Sequence, residues 1–354
     1  MSKKDINFIW HERQKDTFDP LPSDEPVTVY AVPESTQPGQ VYFFEKAGPE
    51  GGLEMTKNAK NYTLVLRPPA TEREVVTRWA GELKEVTISI KGGTVFYDGV
   101  LNKNLHFGIA SFSSMVIEDG GRLKIGTSGR GDIEYVDHGS RLPGVDCVTL
   151  NGDSSFELEL NGGKADYLQH SCYRLNGASR MTIAGREVNF REATSISLTN
   201  SAKLKVVTTE AGEASGFALI EDASLSLRDQ AMVEIYSDRP YFDYRGRFTL
   251  NDASATLSFF PPTEGAEPFE FGKGRYPKGM FNFTKVPGPT NQSRLFIPGK
   301  LSAAFLVSAM LKDQVLAING TVIQDAGLIE QTTETINTSY GPRYGTWIFL
   351  SKKP

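Results

Sequence analysis

Two cysteines and four histidines are all the thiol and imidazole chemistry that these 354 residues hold. His11, His106, His138 and His170 form no pair with metal-ligand spacing, and Cys147 and Cys172 are not a Cys-x-x-Cys pair. No metal site and no cofactor are therefore expected. Gly-x-Ser-x-Gly, P-loop and dinucleotide fingerprints are also missing. No run reaches the roughly 18 apolar residues that a membrane helix needs. The most apolar piece, Leu301 to Ile318, is broken by Ser302, Ser308, Lys312, Asp313 and Gln314. A net charge of −5 without any Lys/Arg run argues against nucleic acid. After Lys3 and Lys4 no apolar core follows, so a secretory signal is not expected. That points to cytoplasmic synthesis, with virion association or export by a non-classical route left open.

What the chain does have is turns and alternation. Hydrophobic content of 39%, with 34 Gly and 19 Pro, excludes a disordered chain and fits a turn-rich protein. Five segments repeat one pattern of alternating strand, small or Asn/Asp turn, and alternating strand. They are Met115–Ile125, Val148–Leu158, Tyr173–Ile183, Ile196–Val206 and Leu225–Ile235. In each, six positions separate the last apolar residue before the turn from the first one after it (117/123, 150/156, 175/181, 198/204, 227/233). Thr87–Phe96 is the same unit with a shorter turn. The residues that anchor the turns are Ile90, Ile117, Leu150, Leu175, Leu198, Leu227 and Leu250, in steps of 27, 33, 25, 23, 29 and 23.

Steps in the low-to-middle twenties match one coil of a parallel β-helix, whose units bury their apolar side only against their neighbours. The two long steps predict loops bulging from the stack at about 126–146 and 207–224. Asn151-Gly152 alone favours a hairpin, but the turn chemistry varies while its length does not, which favours coils. The expected fold is all-β, a parallel β-helix (β-solenoid), with an antiparallel β-sandwich or meander as the alternative. Cys147 and Cys172 are about one coil apart and could stack in adjacent coils, where a disulfide is open to them and two buried thiols are the favoured reading.

Outside the repeats, residues 1–26 contain Pro20, Pro22 and Pro26 and read as an extended arm. Residues 27–84 read as an N-terminal capping region of strands (Val27–Val32, Val41–Phe44, Tyr62–Leu66) and one short helix, Thr71 to Leu83, capped by Thr71. The repeats occupy 85–260. Residues 261–300, rich in Pro, Gly and aromatics (Phe269, Phe271, Tyr276, Phe281, Phe283), read as an irregular connection. Residues 301–354 form a C-terminal β unit with a hairpin at Val315–Ile323 and a strand at Gly345–Leu350. The two flanking blocks would cover the open coil ends.

By coil length and Asn/Gly/Ser turns, the repeats resemble right-handed parallel β-helix proteins, the pectin-lyase-like enzymes, phage tailspikes and autotransporter passengers. The resemblance implies either polysaccharide-directed activity or an adhesive rod, and a trimer if tailspike-like. Gly129–Cys147 is the densest polar stretch. Asp132, Glu134, Asp137 and Asp146 are candidates for an acid/base carboxylate pair, with His138 or Arg141 to polarise substrate. Asp146-Cys147-Val148 is similar to the Asp-Asp-Cys-Val segment of polygalacturonases, with Val145 in place of the first Asp. Neither the Gly-His-Gly nor the Arg-Ile-Lys motif of that family occurs. Turn-forming Asp and Gly in a solvated loop account for the same stretch.

An aromatic-basic cluster offers ligand-binding candidates, Tyr236, Arg239, Tyr241, Phe242, Tyr244 and Arg245, as a stacking surface for sugar rings or a protein partner. Aromatics folded back over the stack are the competing reading. The function expected is a non-enzymatic structural or binding protein that presents a β-helical face and loops to a glycan or protein, as in a phage tail, an adhesin or a delivered bacterial component. The alternatives are a pectin-lyase-like polysaccharide lyase or glycoside hydrolase, and a cytoplasmic self-assembling structural protein.

Overall fold

The computed structural model describes residues 6–11, 14–33, 41–43, 52–66, 78–80, 82–83, 87–99, 106–109, 113–127, 132–138, 147–208, 216–243, 245–251, 254–285 and 291–351. The chain divides into two units, one of 1–174 with 178–185 and one of 175–177 with 186–354. Each is a parallel β-helix.

In the first unit a coil carries three strands. Ser114–Ile117 lies in what we call the anchor sheet, Arg122–Gly126 in the exit sheet and Glu134–His138 in a third sheet, before Cys147–Leu150 opens the next coil. The anchors sit in register: Ile117 pairs with Ile90 on one side and Leu150 on the other. The series reaches back to Met55 and Phe18 through two further parallel pairings. Alternation sends Leu53, Ile88, Met115 and Val148 inward in one layer, and Met55, Ile90, Ile117 and Leu150 in the next, all of them buried. Each such side chain stacks on its counterpart one coil away, and its burial is worth roughly 1.5–3 kcal/mol.

The second unit repeats the construction. Its anchors Leu198, Leu227, Leu250, Phe283 and Ile318 pair in succession. In its exit sheet, Lys203–Thr208, Met232–Tyr236, Thr256–Phe260 and Arg294–Pro298 follow one another, and Gly341–Leu350 and Ile329–Thr338 then close the sheet antiparallel.

The turns explain the constant length. After each anchor the next N–H bonds the anchor carbonyl of the preceding coil, as from Glu118 to Ile90 (2.9 Å) and from Arg228 to Leu198 (2.9 Å). A left-handed residue then reverses the chain: Gly93, Asp119 with Gly120, and Gly152 in the first unit, and Gly177, Asn200 and Asp229 in the second. Gly, Asn and Asp are the residues that tolerate this conformation, so the identity varies while the geometry does not.

Several expectations are corrected. The segments 126–146 and 207–224 are not simply bulging loops, because each supplies a strand of the third sheet, Glu134–His138 and Phe217–Leu219. Coils of 23 and 25 residues carry such a strand as well, and 128–131, 139–146 and 209–215 lie outside the described residues. Residues 78–80 and 82–83, expected as the end of a helix, are strands, and 71–77 lie outside the described residues. Residues 6–10 and 15–18 of the expected arm pair parallel with later strands. The apolar piece after Leu301 is a helix, Ala303–Lys312, capped by Ser302 and burying Leu306, Val307, Ala309 and Met310 on one face. The connection 261–300 contains the strands Phe281–Phe283 and Arg294–Pro298. Among the described residues no helix is long and apolar enough to cross a membrane.

Cys147 and Cys172 are joined in a disulfide, not held as two thiols, with their Cα atoms 4.5 Å apart. The reason is register: both open an anchor-sheet strand, so the coil repeat itself brings them to bonding distance. Closing a 25-residue loop is worth roughly 3–4 kcal/mol in the chain-entropy treatment. Replacing both by Ser should lower unfolding free energy by about that amount in a urea titration. In the turns, Asn200→Gly should be near neutral and Asn200→Val should cost about 1–2 kcal/mol, because only Val resists the left-handed conformation.

Candidate functional site

Coils leave little room for chemistry on their faces, so a site is sought where segments leave the stack. In the second unit such a place opens beside Asp238, Arg239 and Pro240, where the chain passes from the exit sheet to the third. There the stretch 262–280 folds over and leaves a cleft of about 610 Å³. Asp238, Arg239, Pro240, Glu267, Glu270, Arg275 and Tyr276 are among the residues that line it.

The stretch 262–280 is held at three points. Asp238 accepts hydrogen bonds from the backbone N–H and the hydroxyl of Thr263. Asp313, at the end of the helix, accepts from Gly272 N–H (2.6 Å) and Gly274 N–H (2.8 Å). The Arg343 guanidinium donates to the carbonyls of Pro261 (2.8 Å) and Pro262 (2.7 Å). Beneath, Phe269 stacks on Phe271 (5.0 Å) and on Phe242 (6.0 Å), and Tyr276 leans on both Phe269 and Phe271. This aromatic raft ties the cleft to the interior of the coil.

The polar wall is prearranged. Glu270 takes Lys273 Nζ at 2.9 Å and Arg275 at 3.1 Å. The Lys273 hydrogen bond and charge, then Arg275 and Arg239, hold its carboxyl below the usual carboxylate range. Tyr276 Oη accepts the Glu270 N–H at 2.8 Å, and burial pushes its phenol up, so at neutral pH it keeps a proton to donate. Three carboxylates and two guanidinium groups line the cleft, so its charge is nearly balanced.

The six ligand-binding candidates separate. Arg239 lines the cleft. Tyr241 is 63% exposed and Phe242 is buried, because they are successive residues of one strand; Phe242 pairs with Leu219 and points into the core. Tyr236 is buried on the outer face of the exit sheet, where Phe260 and the hairpin residue Tyr340 cover it (5.2 and 5.4 Å). Burial, then the Glu234 carboxylate, pushes its phenol up to about 12. Arg245 is paired with Asp222, and Tyr244 lies outside the described residues. Aromatics folded back over the stack thus describe Tyr236 and Phe242.

The catalytic candidates do not gather. In Glu134–His138 alternation turns Asp137 inward, 1% exposed, where the Tyr173 hydroxyl donates to it at 2.6 Å. Asp132 and Glu134 are exposed on the other side of the wall, and Asp132 accepts the Gly162 N–H. Asp146 and Arg141 lie outside the described residues, as does the His138 side chain. Glu267, Glu270, Arg275 and Tyr276 escaped sequence reasoning; the available signal was the aromatic density of 269–283 with Glu270, Lys273 and Arg275 interleaved. Among the described residues no group of three His, Cys, Asp or Glu is arranged to hold a metal ion.

No protein-family model matches this chain, and neither a curated protein nor a solved structure does.

Asp313→Ala should speed amide exchange at Gly272 and Gly274 and cost about 1–3 kcal/mol, since two partly buried N–H groups lose a charged acceptor. Hydrogen–deuterium exchange with peptide resolution over 270–276 checks it.

Proposed function

We propose that this protein is a non-enzymatic β-helical binding protein that holds a glycan in the cleft between 238–240 and 262–276. The observation that carries the reading is the composition of that cleft: the Tyr276 ring beside nearly balanced, mutually oriented Arg and carboxylate side chains. Sugar rings present apolar C–H faces to aromatic surfaces, and their vicinal hydroxyls match planar groups that donate or accept in pairs. A near-neutral wall favours a neutral saccharide over a strongly charged polymer. Exposed Tyr241, on the strand that follows Pro240, adds a second stacking ring.

Such a lateral site suits a phage-tail, adhesin-like or delivered bacterial component, the role expected for tailspike-like and pectin-lyase-like rods. The Cys147–Cys172 disulfide supports service in an oxidising setting, because reducing compartments open such bonds. A glycan array followed by calorimetry tests the reading. The wild type should bind neutral oligosaccharides, and Arg239→Ala or Glu267→Ala should weaken them by roughly 10- to 100-fold, about 1.5–3 kcal/mol per charged hydrogen-bond partner. An array without a hit would replace the glycan with a protein partner.

A further inference from the structure

Strand Ile329–Thr338 closes the exit sheet of the second unit, and among the described residues its outer edge pairs with no other strand. Natural edges of this kind are normally shortened, bulged, or blunted with Lys or Pro. This one runs ten residues without a bulge against Gly341–Leu350 and holds neither Lys, Pro nor Gly. Four Thr and two Ile make it strongly β-favouring. Ser351 N–H bonds the Leu328 carbonyl at 2.9 Å. By antiparallel alternation the even-numbered residues 330–338 then bond Gly341–Leu350, and the N–H and C=O of 331, 333, 335 and 337 with the C=O of Ile329 point to the open edge, the Ile329 N–H being taken by the Ala326 carbonyl.

The surroundings are apolar. The helix Ala303–Lys312 packs against this strand and leaves Phe305 61% exposed, next to Leu301 at the helix start, 40% exposed. Tyr340 and Tyr344, from the same hairpin, are exposed too. Among the described residues, four of the seven exposed large hydrophobic ones therefore come from this helix start and hairpin, and such clusters mark partner surfaces.

We propose that Ile329–Thr338 pairs antiparallel with the same strand of a second copy of this chain, about a two-fold axis at Thr333. Two-fold symmetry makes the contact isologous and forces the antiparallel sense. Charge selects the register. An axis at Thr332 sets Glu330 opposite Glu334 of the other copy, twice, and an axis at Glu334 sets that carboxylate opposite itself. With the axis at Thr333, Glu330 faces Ile336 and Glu334 faces Thr332, so no carboxylates oppose each other. The same register engages all five outward residues and, with the Ile329 N–H already bonded to Ala326, makes eight backbone hydrogen bonds. It does not rest on the cleft or its ligand.

Light scattering should give twice the 39.0 kDa chain mass for the wild type. Thr333→Lys and Thr333→Pro should halve that mass with an unchanged thermal melt, because position 333 makes no backbone bond to Gly341–Leu350. A nitroxide at Asn337→Cys should lie roughly 27 Å from its copy in pulsed dipolar spectroscopy, eight residues along the paired strands at about 3.4 Å each. A monomeric wild type, a dimer that survives both substitutions, or a spin distance incompatible with that register overturns the proposal. If a variant misfolds, the spin distance in the otherwise native chain decides alone.

Discussion

Everything in this protein depends on register between coils. Parallel strands about 4.8 Å apart oblige each inward side chain to lie on the equivalent one in the next coil. A coil can therefore vary in length only where its segments leave the sheets. The anchors Ile90, Ile117 and Leu150 show the rule in one unit, and Leu198, Leu227 and Leu250 in the other. The same rule places the Cys147–Cys172 disulfide, stacks Phe248 over Phe281 (5.7 Å), and brings a left-handed Gly, Asn or Asp back at the turn after the anchor in successive coils.

Because of that rule the anchor and exit sheets were legible in the sequence. Both flank a turn of constant length, and their alternation is clean. The third sheet was not. Glu134–His138 turns a carboxylate, Asp137, into the core, where the Tyr173 hydroxyl satisfies it, so its pattern looks like polar loop. Phe217–Leu219 is only three residues long and buried at every one. The helix Ala303–Lys312 was missed for a different reason: Phe305, Leu306 and Val307 look strand-like, and only the Ser302 cap and the face formed by Leu306, Val307, Ala309 and Met310 reveal its period.

The site was legible in part. Arg239 and Tyr241 are found where an aromatic-basic turn was noticed, but their neighbours Tyr236 and Phe242 are structural, for reasons of strand parity that a list of residue types does not contain. Glu267, Glu270, Arg275 and Tyr276 come from a segment with no periodicity. It is positioned by long-range polar contacts to Asp238, Asp313 and Arg343. Such contacts join residues tens of positions apart, and no local pattern announces them. The division of labour is physical: register fixes the coils, and the segments freed from register shape the cleft proposed for binding.

Coil register is thus the claim on which fold, turn chemistry and site placement all stand. Paired cysteines test it most directly, since neighbouring parallel strands fall within the Cα range a disulfide spans. Ser195 and Ser224, both exposed, are register partners in the anchor sheet, whereas Ser226 lies two residues further along. Mild oxidation of Ser195→Cys with Ser224→Cys should give a rapid intramolecular cross-link, identified by peptide mass spectrometry, and Ser195→Cys with Ser226→Cys should not. Absence of the first link, or equal formation of both, would contradict the stacked coil.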